Sequence, residues 1–287
     1  MYQELIARFQ EMLEFRGLTE STIKGYTSYI RVYLDYLDNF LKKHPSDVTW
    51  DELRGYIRYL DKTKNHAPRT INAVIASISN FTTYVLKKPW DSYQLPKRKV
   101  DSKLPYLLSQ EDTKRFIFSI PNLMFRCMIA LMYSSGLRVS ELCHLKVSDI
   151  PKGDMRVRVR ESKNRSEGYT QLSEKALTLL RQYWSSYGKP QDWLFPHPKD
   201  SSKPITPHYV RQAIREHEDR LGLEHKLSCH SFRHCLGTHM YENGEDLLKI
   251  KAVLRHKALS STLIYITLAS NTFDSVTNPL DILGEDS

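Results

Sequence analysis

Cysteine is scarce in this 287-residue chain: Cys127, Cys143, Cys229 and Cys235 are the whole supply, and no two form a Cys-x-x-Cys pair. That excludes a disulfide scaffold and leaves reduced thiols in or near a core as the expectation. Long apolar runs are missing too. None approaches the ~18 residues of a membrane span, and the opening MYQELIARFQ lacks the charged-then-apolar layout of a signal peptide. No membrane partner and a cytoplasmic, nucleoid-associated location are therefore expected. There is no long-period repeat and no low-complexity tract. Acidic residues are in deficit, 33 against 42 basic ones, for a net charge of +9. Such a balance favours a polyanionic partner, nucleic acid first among them.

What is present is mostly helical pattern. From Thr19, apolar residues recur at Ile23, Tyr26, Ile30, Tyr33, Leu34 and Leu37, one face of a helix. Thr49 and Glu52 have the spacing of a capping box. A further helix is predicted from Pro68, with Ile71, Val74, Ile75, Ile78 and Val85 on its buried side. With a helix before Gly17, this makes a small four-helix domain over residues 1–88. The stretch 89–105, rich in proline and basic residues, has no amphipathic period and reads as an interdomain linker. Lys87, Lys88, Lys97, Arg98, Lys99 and Lys103 in and beside it are candidate phosphate contacts.

The remainder, 106–287, is mixed. Ser109 starts a helix, and an apolar helix from Leu123 stops at Gly136. Met155 to Arg160 alternates strictly, the turn ESKNRSEG follows, and a return strand runs through Tyr169 and Leu172, so a hairpin is predicted. Helices are then expected at about 173–186, 206–221, 229–242, 245–254 and 259–269. The fold class is mainly α with a small antiparallel β-sheet.

The segment HSFRHCLGTH (230–239) raises the functional question. His230 and His234 share a helix face, as metal ligands would, but Arg233 sits in the turn between them and would repel a cation. Cys229 and Cys235 are six apart and lie on largely different faces. No metal and no other cofactor are expected. His230 and Arg233, three apart, instead offer an imidazole and a guanidinium fork to one point, which suits a phosphate. Arg138 follows the helix-stopping Gly136, where free backbone N–H groups favour an anion, and Glu141 stands three residues on to hold its guanidinium. Lys163 sits at the hairpin tip, with Arg165 as a lesser alternative. His256 follows a short amphipathic helix, and Tyr265 comes nine residues later.

Taken in order, these segments resemble the tyrosine recombinases, the family of phage integrases and chromosome-dimer resolution enzymes. The likeness spans nearly the whole chain: a core-binding (SAM-like) helical domain, a linker, then a catalytic domain. It departs at three places: Arg255 stands where glycine often precedes the second histidine, Ser135 where threonine is common, and Ser-Lys-Asn-Arg replaces Gly-Lys-Gly in the hairpin. The resemblance implies that Tyr265 attacks a DNA phosphate to form a 3′-phosphotyrosine and release a 5′-hydroxyl, without metal or ATP. Arg138 and Arg233 would neutralise the phosphoryl oxygens, and His256 would donate a hydrogen bond. Lys163 would protonate the leaving oxygen, and His230 would act as base or orient the phosphate. Nearby cations are expected to favour the Tyr265 oxyanion. His234, with His239, Cys229 and Cys235, is assigned to packing or supporting contacts. Implied partners are a double-stranded DNA recombination site, further copies in a synaptic tetramer, and accessory DNA-bending proteins. The apolar stretch within Pro279–Leu283 is expected to dock on a neighbouring copy. Relaxation of supercoils in the manner of a type IB topoisomerase, a non-catalytic DNA-binding regulator and a zinc enzyme are the competing readings.

Overall fold

The computed structural model describes residues 2–101, 104–160, 167–224 and 226–269, and the chain divides into two units, Met1–Lys103 and Leu104–Ser287. In the first unit, α1 (Gln3–Phe15), α2 (Glu20–Tyr36), α3 (Trp50–Lys62) and α4 (Pro68–Tyr84) enclose one core. The apolar stripes predicted from spacing face it: Ile23, Ile30, Tyr33 and Leu34 from α2, and Ile71, Val74, Ile75 and Ile78 from α4. Thr49 and Glu52 form a reciprocal cap on α3. The Glu52 N–H donates to Thr49 Oγ1 (3.3 Å), and the Thr49 N–H donates to Glu52 Oε2 (2.9 Å).

The proline-rich stretch is not slack along its whole length. The Trp90 ring meets Trp50 edge-on at 5.0 Å, and Leu95 is buried in the helical core. Asn72 brackets Arg98, donating to its carbonyl (2.9 Å) and accepting from its N–H (2.8 Å), while the Arg98 side chain pairs with Asp61 at 2.8 Å. Up to Arg98 the segment is therefore a strap on the first unit. Its lack of amphipathic period reflects point contacts made by single residues rather than a buried helix face.

The second unit is built around α6 (Leu123–Ser135), whose residues are buried on almost every side. It packs against α5 (Gln110–Ser119), α7 (Val139–Cys143), α8 (Glu174–Ser186), α9 (Pro207–Leu221) and α10 (Cys229–Glu242). The hairpin pairs β1 (Arg156–Val159) with β2 (Gly168–Gln171) in antiparallel register, Val157 opposite Thr170 and Arg158 opposite Tyr169. Val157 and Val159 point to the core while the arginines point out, as the alternation requires. Thr170 Oγ1 lies against the carbonyls of Ser135 (2.9 Å) and Val253 (3.0 Å), seating the hairpin on the ends of α6 and α11 (Leu247–Leu254). All four cysteines are buried and free.

Two segments differ from expectation. Residues 196–204 form a second hairpin, β3 (Pro196–His197) with β4 (Asp200–Pro204), in the interval between two expected helices where no element was predicted; its strands are short and polar and carry no alternation to read. The expected helix 259–269 splits into a 3-10 turn (Leu259–Ser261) and the short α12 (Ile264–Leu268). Thr262, between them, turns its hydroxyl inward to His256.

Gly136 ends α6 at φ +60°, and a Cβ there would stand 2.6 Å from Leu254 Cδ2 and 3.1 Å from Leu236 Cδ2. Both the left-handed backbone and the close packing require glycine. Gly136→Ala should therefore cost the second unit more than ~1 kcal/mol, read as a fall of a few degrees in its thermal unfolding midpoint. An unchanged midpoint would show that α11 can retreat from the cap.

Candidate active site

Four pieces of the second unit meet here: the α6–α7 junction, α10, the end of α11, and the turn into α12. Arg138 is the extended residue before α7. Its N–H donates to Glu141 Oε2 and its Nη1 to Glu141 Oε1, both at 2.9 Å, so one carboxylate holds the backbone and the side chain of the same arginine. The Arg138 side chain keeps 20% of its surface exposed, while that of Glu141 keeps 5%. Burial raises the Glu141 pKa, but Arg255 and Arg138 more than reverse this and hold it below the ordinary carboxylate value.

Arg233 lies in the middle of α10 and has no exposed surface. Its Nη1 donates to the Gly136 carbonyl and its Nη2 to the Leu254 carbonyl. Both carbonyls stand at helix C-termini, which lack intrahelical partners and carry partial negative charge. Among the described residues no carboxylate forms an ion pair with Arg233, and its Nε has no hydrogen-bond partner. Burial and the charge of Arg138 lower its pKa to about 9, which leaves it a cation at neutral pH.

Tyr265, on α12, is 1% exposed. Its ring lies flat on Gly237 of α10, where any Cβ would overlap the ring carbons. The His256 ring is parallel to it (11°, centroids 6.2 Å), and the His234 ring is tilted against it at 6.0 Å. His230, exposed at the start of α10, meets His234 edge-on at 4.6 Å. The expectation that cations would favour the Tyr265 oxyanion needs correction. Arg233 and Arg138 do pull its pKa down, but burial outweighs them and raises it to about 12. His256 is held at about 4 by burial, by Arg233 and Arg138, and by its neighbours His230 and His234. His234 falls to about 4 through burial, His230 and Arg233. Both imidazoles are thus neutral near pH 7.

The structure brings Arg138, Glu141, His230, Arg233, His234, His256 and Tyr265 to one place through these contacts. Lys163 and Arg165 lie outside the described residues, as do Lys103 and the 279–283 stretch. In the first unit, Lys87, Lys97 and Lys99 are exposed, Lys88 donates to the Ser46 carbonyl, and Arg98 is engaged with Asp61. His239 turns away from the site, bonding the Leu108 carbonyl (3.0 Å) and the Tyr133 hydroxyl (3.0 Å).

Three residues escaped the sequence reading as parts of the site. Arg255 was visible only as a departure from glycine. It occupies the left-handed C-cap of α11 at φ +52°, and its Nη2 reaches Glu141 Oε2 at 2.6 Å. Glu141 is thereby shared by two arginines, and the strain of a non-glycine residue there is offset by an ion pair with a nearly buried carboxylate. Gly237 gave no signal beyond being a glycine inside a helix. Thr262, fully buried, places Oγ1 2.9 Å from His256 Nδ1.

Comparison with known proteins identifies the family. Residues 107–272 match the phage integrase family, and residues 5–92 match the phage integrase N-terminal SAM-like domain. The chain is 31% identical over 277 residues to the protein y4qK of Sinorhizobium fredii, covering 96% of this chain and 88% of that one. It is 29% identical over 265 residues to the tyrosine recombinase XerA of Pyrococcus furiosus, covering 91% and 88%. The fold superposes on a lambda integrase dimer bound to a COC′ core site with a TM-score of 0.72 at 18% identity, over 96% of this chain and 97% of that one. A catalytic-domain match over more than half the chain, preceded by the matching helical domain, places this protein in the phage integrase family of tyrosine recombinases.

Proposed function

We propose that the protein is a site-specific DNA recombinase that cuts and rejoins strands through Tyr265. The observation that carries this reading is the placement of the Tyr265 ring between α10 and His256, within the fields of Arg138 and Arg233. Phosphodiester cleavage needs a nucleophile beside concentrated positive charge, and these side chains supply both.

In the proposed reaction the Tyr265 oxygen attacks phosphorus and the bond to the 5′-oxygen breaks, leaving a 3′-phosphotyrosine and a 5′-hydroxyl. A phenol at about 12 is not pre-ionised, so its proton leaves as attack proceeds. His230 is proposed to accept it or to orient the phosphate, the His234 ring packing against both His230 and Tyr265. Arg138 and Arg233 neutralise the charge that grows on the non-bridging oxygens, Glu141 keeping Arg138 in position. His256 donates a hydrogen bond without adding charge, and Lys163 protonates the 5′-oxygen. Because the phosphotyrosine conserves the energy of the broken bond, rejoining by a second 5′-hydroxyl requires no ATP. Partners proposed on the same reading are a duplex recombination site, further protomers in a tetrameric synapse, and accessory DNA-bending proteins. The 279–283 stretch is proposed to dock between copies, and the exposed Lys97 and Lys99 to contact phosphates. A nucleoid location follows from the substrate.

The test begins with selection of a bound site from duplexes with a randomised core. A nicked suicide duplex carrying that site should then give a covalent protein–DNA adduct that survives denaturation. Tyr265→Phe should bind the duplex and form no adduct, and Arg138→Ala should slow adduct formation at least a hundredfold, the scale of losing one transition-state charge contact, while binding weakens far less. Adducts from the Phe variant would remove Tyr265 from its role, and relaxation of plasmids lacking the site would favour a topoisomerase.

Gly237→Val should push the Tyr265 ring out of its seat, lowering adduct yield more than tenfold while leaving site binding intact. Equal loss of both would mean that α10 itself had been disrupted.

The imidazoles set a pH dependence of stability. His234 and His256 sit near 4 when folded against 6.5 ordinarily, so between about pH 6.5 and 4 the unfolded chain binds protons that the folded chain does not. Stability is therefore lost as pH falls through that window. The thermal midpoint of the second unit should drop from pH 7 to pH 5, and His256→Gln should flatten the slope. A midpoint indifferent to pH would mean that these rings stay solvated.

A further inference from the structure

His256 meets a buried hydroxyl that no motif marks. An imidazole that is neutral carries its one proton on either Nδ1 or Nε2, and only the protonated nitrogen donates. His256 Nδ1 and Thr262 Oγ1 are 2.9 Å apart, and the direction of that bond decides which nitrogen remains a donor. If Nδ1–H donated to Oγ1, the threonine hydrogen would need another acceptor. Thr262 has no exposed surface, and among the described residues His256 Nδ1 is the single hydrogen-bond partner of its hydroxyl. That arrangement would bury an unsatisfied O–H, whereas a bond from Oγ1–H to Nδ1 satisfies both groups.

We infer that Thr262 is a positioning residue: its hydroxyl donates to His256 Nδ1, places the imidazole proton on Nε2 and fixes which edge of the ring faces the phosphate site. The catalytic consequence rests on the recombinase reading above; the tautomer itself does not. A half-turn of the ring about its Cβ–Cγ bond would carry Nδ1 away from Thr262 and forfeit the bond, so one contact selects both ring orientation and proton position. The contact also couples the donor to the nucleophile. Thr262 accepts the Tyr265 N–H through its own carbonyl at 3.1 Å, and its N–H donates to the Leu259 carbonyl at 2.7 Å. The turn that seats Tyr265 against Gly237 is thus the turn that orients His256. Displacement of this segment would release tyrosine and histidine together. The low basicity of His256 fits, since the bond described requires a ring with one free lone pair on Nδ1.

The test needs no DNA for its first arm. In the full chain labelled with 15N-histidine at pH 7, the His256 nitrogens, assigned by their loss in His256→Gln, should report a protonated Nε2 and an unprotonated Nδ1. Thr262→Val, which keeps the shape and removes the hydroxyl, should give a tautomer mixture or the Nδ1–H form. Thr262→Ser should restore the wild-type pattern. In the second arm, on the nicked duplex selected above, the Val variant should form adduct about tenfold more slowly, the scale of one misdirected hydrogen bond, at unchanged site affinity, with the Ser variant near wild type. An Nδ1–H tautomer in the wild type, or an Nε2–H tautomer retained in the Val variant, overturns the inference. Should the Val variant fail to fold, the wild-type and Ser tautomers still decide it. Absence of any adduct from the wild-type chain would defeat the recombinase reading and leave the tautomer result standing.

Discussion

A guanidinium with no carboxylate ion pair among the described residues organises the second unit. Arg233 is enclosed in α10, and its charge is met by the carbonyl ends of α6 and α11 rather than by an anion. Taking such a cation out of water is costly, and a buried arginine usually needs an acidic partner. Here two helix C-termini supply what water gave up, through carbonyls that would otherwise lack partners. The two helix ends are drawn together, and the arginine keeps its net charge.

The neighbouring arginines follow a different rule. Arg138 and Arg255 share Glu141, one oxygen of which serves Arg138 Nη1 while the other takes the Arg138 N–H and Arg255 Nη2. Glu141 is nearly buried and stays ionised because both cations adjoin it. The site thus contains one arginine held by dipoles and two held by a shared anion, an arrangement that limits mutual repulsion while leaving positive charge in excess. Around this frame the rings of His234, His256 and Tyr265 pack into each other, and their burial suppresses ionisation of all three. At neutral pH the phenol is therefore protonated and these two imidazoles are neutral.

Much of this was legible beforehand, and for identifiable reasons. The helices of the first unit announce themselves because each buries one stripe, so Ile71, Val74, Ile75 and Ile78 recur at helical spacing. The β1–β2 hairpin is equally open to reading, since Val157 and Val159 alternate with arginines. Arg138, His230, Arg233, His256 and Tyr265 could be picked out because reactive side chains occur in the family's order. What failed was whatever depends on a single distant contact. The strap through Trp90, Leu95 and Arg98 has no period, because each residue meets a different partner. Thr262, at the break before α12, meets His256 six residues earlier, and no periodicity marks that contact.

By itself the sequence determined which residue types are available, their order, and the periodicities that make helices and one hairpin; these are local properties of spacing and backbone preference. Tertiary structure alone decided their electrical states and seats. It put Arg233 between two helix ends, turned Arg255 toward Glu141, laid Tyr265 on Gly237 and raised its pKa where proximity to cations had suggested the reverse. Those outcomes depend on burial and on groups up to 114 positions apart, and neither desolvation nor long-range contact can be read from neighbours along a chain.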